Sequence, residues 1–375
     1  MPIDRELGLP GLQFTSRVEL WVGRLCAKDT FVGAMEDLSG LARVSVSSKE
    51  AQRITISLGE QAEKMMEDDM ARVLPRHKKC THIQRRNPEA VGKQYQDPKL
   101  TGYVSMDGAM VPTAEMHKDE QGKRRRQVQY TEAKMGRVDL VQEPRKDGEE
   151  AETISSRFTF SMDGADECAR RTYVIAARAG VTRLSRLVAI ADGAEWIWKR
   201  IKQYFPHAIQ ILDWYHATEH LGEVVRTCVL SEVGGGDGSG TTDEASLKAE
   251  CKRLVDTGKA LMREGKIAQL VKFVSALPQG TAEAVERVRE TVGYYRNNSK
   301  RMKYAEYRAR GLRIGSGPME STCKQIVDAR MRKAGMSWSP EGARAVGLLR
   351  SELLSTGCWD RVFENWPGRP ICAAS

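Results

Sequence analysis

The chain has 375 residues, 41% of them hydrophobic, which is enough for two or three domains with sizeable cores and argues against disorder throughout. Lys and Arg number 59 against 50 Asp and Glu, and the formal net charge of +9 favours a polyanionic partner. The eight cysteines contain no C-x-x-C pair and no apolar run approaches a membrane span, so a disulfide framework, a zinc ribbon and a membrane protein are disfavoured, and a cytoplasmic protein with reduced thiols is expected.

At the N-terminal end, Val18, Trp21, Val22 and Leu25 share one helical face, and Phe31, Ala34, Met35 and Leu38 share another. Two short helices are expected there. Ser47 and Glu50 then form an S-x-x-E capping box that opens a third helix through Ile54 and Leu58 toward Met66. Residues 1–71 thus read as a helical, helix-turn-helix-like region that presents Lys49, Gln52 and Arg53 where recognition helices touch base edges, with a plain helical hairpin as the alternative.

Residues 72–99 read as a basic, proline-broken linker that either tracks phosphates or is simply solvated. His77, Cys80 and His82 lie close together within it, but lack a fourth ligand and are not expected to hold metal.

From residue 100 the pattern changes to strands. Residues 103–106, 127–141 (one long strand, or a hairpin bent near Met135-Gly136) and 157–162 come first, followed by a helix over 169–179. A strand at 187–191, a helix at 194–205, a strand at 208–212 and a helix from Trp214 complete residues 100–230. The order predicts an α/β mixed sheet flanked by helices, which is the order of the ribonuclease H-like fold. The glycines from Gly234 to Gly240 mark a break, after which residues 231–300 read as an all-helical insertion, 301–365 as the second part of the core and 366–375 as a tail.

Asp-Gly-Ala occurs at Asp107, Asp163 and Asp192. Asp107 is expected to end the first strand and Asp192 the fourth, two neighbours in this fold, whereas Asp163 followed by Asp166 reads as a helix N-cap. Asp213 also ends an apolar strand and is the rival to Asp192. Glu320 follows Gly315-Ser316-Gly317-Pro318, residues suited to a tight approach and a first-turn proline. Carboxylates on a rigid frame are what hard divalent cations require, which makes Asp107, Asp192 and Glu320 candidate catalytic metal ligands, with Asp213 and His216 in support. Basic residues crowd around Glu320, notably Arg301, Lys303, Lys324, Arg330 and Arg332, with Tyr294, Tyr295, Tyr304 and Tyr307 interleaved, a composition suited to a DNA groove. A competing motif, His216-Ala217-Thr218-Glu219-His220, matches the H-x-x-E-H pattern of a zinc metalloprotease family.

Four ordered blocks carry a resemblance: Ser105-Met106-Asp107-Gly108, Ala191-Asp192-Gly193-Ala194-Glu195-Trp196, Leu212-Asp213-Trp214-Tyr215-His216 through Leu221, and Gly315-Ser316-Gly317-Pro318-Met319-Glu320-Ser321. In these the chain resembles insertion-sequence DDE transposases of the ISKra type, which share Mutator-like features. The resemblance implies a DNA transposase acting on terminal inverted repeats, with Asp107, Asp192 and Glu320 holding Mg²⁺ (Mn²⁺ able to substitute) and Asp213 with His216 matching a C/D-x-x-H element. It also implies double-stranded DNA as partner, at element ends and target, a homodimer or higher assembly, and a nucleoid-associated place in a bacterial cytoplasm. A DNA-binding relic or repressor without catalysis is the alternative from another class.

Overall fold

The computed structural model describes residues 14–74, 99–118, 121–142, 151–233 and 244–363. Most of the basic linker, including His77, Cys80 and His82, and the glycine-rich break lie outside the described residues. The chain divides into two compact units, one of Met1–Leu187, Lys199–Ala208 and Met319–Ser375, the other of Val188–Trp198 and Ile209–Pro318.

The architecture is mixed α/β, with a five-stranded sheet in the order β3-β2-β1-β4-β5. Strand β1 (Leu100–Lys118) pairs antiparallel with β2 (Arg124–Gln142), which pairs antiparallel with β3 (Glu152–Ser161). Strands β4 (Leu187–Ala191) and β5 (Ile209–Leu212) run parallel. None of the described helices is long and apolar enough to cross a membrane.

The first unit opens with α1 (Ser16–Lys28), α2 (Phe31–Ala42) and α3 (Ser48–Val73). The Ser47 hydroxyl accepts the Glu50 amide at 3.2 Å, so the capping box does start α3. That helix runs well past Met66. It buries Ala51, Ile54, Leu58 and Ala62 in a core shared with Leu348 and Leu349 of α12 (Pro340–Leu354) and with Trp359 and Phe363 of α13 (Cys358–Phe363). A second core joins Met135 and Phe160 of the sheet to Met319, Ile326, Val327 and Trp338 from the C-terminal segment.

One strand expectation is corrected and one alternative is decided. Strand β1 is 19 residues long, and Asp107 lies in its middle opposite Met135, not at its end. Strand β2 passes through Met135-Gly136 in continuous register with β1, so of the two alternatives the long strand is found and the bent hairpin is not. The outer part of this hairpin is exposed on both faces of β2 from Arg124 to Tyr130, so the apolar alternation that reveals a half-buried strand is missing. Backbone bonds hold it instead: Trp338 N donates to Pro112 O at 3.0 Å, and Ala114 N donates to Trp338 O at 2.7 Å.

Helix α4 (Gly164–Arg178) covers this sheet, and Asp163 stands at its N-cap position. Its side chain makes no capping bond, however, and both oxygens accept from the Arg344 guanidinium, one at 2.8 Å. The N-cap expectation therefore holds for position and fails for the carboxylate, because a bidentate charged partner outcompetes a single backbone amide. Arg171, 2% exposed, lies between Glu63 and Glu167.

In the second unit, β4 leads toward α5 (Glu195–Tyr204) and β5 leads to α6 (Trp214–Val233). Helices α7 (Glu244–Arg263), α8 (Ile267–Ser275), α9 (Ala282–Asn298) and α10 (Tyr304–Ala309) follow. Their apolar faces, among them Met262, Leu270, Val274 and Tyr295, are buried.

Candidate functional site

Parallel pairing sets the geometry of the second unit. Ala191 is in register with Leu212, so Asp192 and Asp213 each follow the last paired residue of adjacent strands, at the carboxyl edge where α/β sheets commonly bind ligands. Asp213 N also donates to Ala191 O at 2.8 Å. The environments of the two carboxylates differ sharply.

Asp213 is 1% exposed. Its Oδ1 accepts the Ser316 amide at 2.7 Å, while Oδ2 lies 2.6 Å from His216 Nδ1 and accepts the His216 amide at 3.2 Å. Burial alone would raise its pKa, but the bonds from His216 and Ser316 outweigh it and hold the carboxyl below its usual value. With both oxygens engaged, Asp213 acts as a structural tie, fixing the start of α6 to the Gly315-Ser316 loop. A further bond, Trp214 N to Ile314 O at 2.9 Å, reinforces it.

His216 is the electrostatic counterpart. The bond to Asp213 raises its pKa to about 9 against the opposing effect of burial, and the charges of Asp213, Asp192 and Glu219 add to the rise. A cationic imidazolium thus stands in the field of Asp192 at neutral pH. His220, one turn on, behaves oppositely: burial lowers its pKa, and its ring packs on Tyr294 with centroids 4.1 Å apart.

Asp192 is half-buried and more open. Its Oδ1 accepts the Ala194 amide at 2.9 Å, and its second oxygen has no hydrogen bond among the described residues. The backbone beneath is fixed by Tyr294, whose hydroxyl donates to Asp192 O at 2.7 Å. Gly193, at φ +107°, lies so close to that ring that a Cβ would sit 2.7 Å from Tyr294 Cε2. Only glycine suits both the conformation and the space.

In the first unit, Asp107 Oδ1 accepts the Gly108 amide at 2.7 Å, and its Oδ2 lies 3.6 Å from Cys323 Sγ. Cys323 ends α11 (Gly317–Cys323), one turn beyond Glu320. This contact brings the helix bearing Glu320 onto the strand bearing Asp107. Burial, then the Asp107 charge, pushes the Cys323 thiol far above its ordinary range, so it stays protonated and can donate. Glu320 itself is exposed and pairs with Lys324 at 2.6 Å.

Hard carboxylate oxygens suit magnesium in kind, and Asp192 retains an open one. Asp107 and Glu320 belong to the first unit and Asp192 to the second, and no cluster of three or more metal-ligating side chains occurs among the described residues.

The nucleic-acid candidates separate into exposed and internal groups. Lys49 and Gln52 are exposed, and Arg53 is exposed beside Glu50 at 3.3 Å. Lys303, Lys324 and Arg332 each pair with a helical carboxylate, Glu306, Glu320 and Asp328, in exposed positions. Arg301, by contrast, stacks over Trp198 at 4.3 Å and donates to Gln210 and Asn298, so its guanidinium serves internal packing rather than an outer groove. Arg330 is fully buried over Trp338 and donates to Cys26 O.

The interleaved tyrosines also face inward. The hydroxyls of Tyr294, Tyr295, Tyr304 and Tyr307 donate to the carbonyls of Asp192, Ala217, Leu212 and Gln210. They anchor helices to the end of β4, to β5 and to α6 rather than standing out for stacked bases, a role that aromatic residues with polar tips commonly take. The sequence marks Tyr294 only as part of a basic, aromatic groove and Ser316 only as part of a tight loop, and it gives Cys323 no role, although Cys323 lies three residues after Glu320 and so on the same helical face. Neither the models of known protein families nor the curated proteins provide a match to this chain.

Proposed function

We propose that the protein is a DNA transposase with a ribonuclease H-like core that cleaves and joins strands at the terminal inverted repeats of an insertion sequence. The observation that carries this reading is the contact between Cys323 and Asp107, 216 residues apart, which sets the helix that carries the end of the last block, Glu320 included, against the strand that carries the first. Asp213 joins the third and fourth blocks in the same manner through Ser316.

Asp107, Asp192 and Glu320 would hold magnesium, or manganese in its place. When bound, the metal supplies Lewis-acid activation for phosphodiester cleavage and transfer. Asp192 offers its open oxygen, Tyr294 and Gly193 fix the backbone that aims it, and Asp213 holds His216 as a cation able to attract a phosphate. Lys49, Gln52 and Arg53 at the start of α3, with Lys303, Lys324 and Arg332, supply the exposed positive and polar surface for duplex DNA. Two ends must be joined together, so a homodimer or larger assembly in the bacterial cytoplasm is part of the proposal.

The test is cleavage of duplex DNA carrying the repeats that flank the gene, with Mg²⁺ or Mn²⁺. The wild type cuts at the repeat ends, and Glu320→Gln binds the same DNA without cutting it. Binding without metal-dependent cleavage by the wild type would overturn the enzyme reading in favour of a repressor or relic.

A further inference from the structure

Within the second unit, a cavity of about 510 Å³ opens beside the loop that Asp213 ties down. Its walls include Trp214, Tyr215, Arg263, Arg308, Arg313 and Gly315, and none of its lining residues is acidic. The exposed guanidiniums of Arg263 and Arg308 around one concavity whose lining holds no carboxylate make a site for phosphate.

The aromatic pair is arranged unequally. Trp214 is held from two sides, edge-on by Tyr304 with ring centroids 5.0 Å apart and by Arg263 at 5.7 Å from its ring. Tyr215 is 61% exposed. One edge of its ring packs so closely on Gly315 that a Cβ there would sit 2.7 Å from Tyr215 Cε2, which fixes the ring's position while its surface stays open. Arg263 and Arg308 are exposed and have no carboxylate partner among the described residues. An oriented, solvent-facing aromatic ring beside uncompensated guanidiniums is the combination that binds a nucleobase together with its phosphates. A base paired within a duplex cannot offer its face to Tyr215.

We propose that this cavity binds one unpaired nucleotide of a DNA strand, its base stacked on Tyr215 and its phosphates held by Arg263 and Arg308. The proposal deepens the DNA reading above and rests on it.

The test uses the full chain and fluorescence anisotropy with two probes, a blunt duplex and the same duplex carrying a short single-stranded overhang. The wild type should prefer the overhang by roughly five- to tenfold. Tyr215→Ala should remove that preference while blunt-duplex affinity stays within about twofold, and Tyr215→Phe should restore it. A 2-aminopurine placed in the overhang should be quenched by the wild type and by Tyr215→Phe but not by Tyr215→Ala. Arg308→Gln should weaken overhang binding and lower its salt slope by about one.

Equal overhang preference in wild type and Tyr215→Ala, with cleavage activity intact, overturns this proposal alone. Competition by free deoxyadenosine monophosphate at concentrations equal to the overhang would assign the cavity to a free nucleotide and also overturn it. Failure of the wild type to bind either duplex would remove the DNA reading and this inference together.

Discussion

Oδ2 of Asp213 lies 2.6 Å from Nδ1 of His216, and the same carboxylate accepts the Ser316 amide through its other oxygen. A buried charge with this many partners is costly to disturb, because removing it leaves a backbone amide and an imidazolium without their acceptor. Asp213→Ala is expected to destabilise the protein by about 2 to 4 kcal/mol, read as a fall in the urea midpoint, and Asp213→Asn by about half of that because one acceptor oxygen survives. An unchanged midpoint for Asp213→Ala would show that the tie contributes nothing.

The pair also sets a pH window. His216 has its pKa raised to about 9 in the folded protein from an ordinary 6.5, so its contribution to stability is complete below about pH 6.5 and disappears as pH rises through 9. Asp213 has a lowered pKa, so its contribution is present above the ordinary carboxyl value of 3.8 and is lost as pH falls through its folded value. The His216 side chain is 41% exposed, and solvent screening reduces the alkaline effect to about 1 kcal/mol or less. Urea unfolding from pH 6 to pH 10 should show this loss in the wild type and not in His216→Gln, and the imidazole resonances should titrate near pH 9.

The capping box at Ser47, the parallel strands ending in Asp192 and Asp213, and the helices after residue 244 were legible in the sequence because each depends on a local signal: a hydroxyl three residues from a glutamate, a short apolar run, or a 3.6-residue period. The full length of β1 was not: Val111 and Thr113 are buried, but Glu115, Met116 and His117 beyond them are exposed, and the segment is held by pairing with the exposed outer part of β2 and by backbone bonds to Trp338. The tyrosines near Glu320 were misread for a related reason. Composition places aromatics among cations, but only tertiary packing determines that Tyr295 and Tyr304 are buried while Tyr215 is exposed. Arg301 and Arg330 have the same history, because sequence counts charges without showing which guanidiniums lie over Trp198 and Trp338.

Gly193 joins the end of β4 to α5 at φ +107°, against the Tyr294 ring. Gly193→Ala forces a Cβ into that ring and a side chain into a backbone region that L-residues rarely adopt. The expected cost is about 2 to 3 kcal/mol, with the Tyr294 hydroxyl displaced from Asp192 O. Tyr294→Phe removes only that hydroxyl and should cost about 1 kcal/mol. Thermal unfolding of both variants checks the order, and a Gly193→Ala protein as stable as the wild type would show that the turn can relax.

The Asp107 and Cys323 contact can be followed through thiol chemistry. Burial is the main reason that the Cys323 thiol is held protonated, and the Asp107 carboxylate adds to it. Because the thiolate is the reactive form, Cys323 should alkylate with iodoacetamide at pH 8 far more slowly than an unstructured cysteine peptide. Asp107→Asn removes the charge and leaves burial in place, so the rate should rise several-fold while remaining below that of the peptide. Peptide-resolved mass spectrometry over a time course reads both rates. An Asp107→Asn rate equal to the wild type's would separate the two side chains and, with them, the Glu320 helix from the strand that carries Asp107.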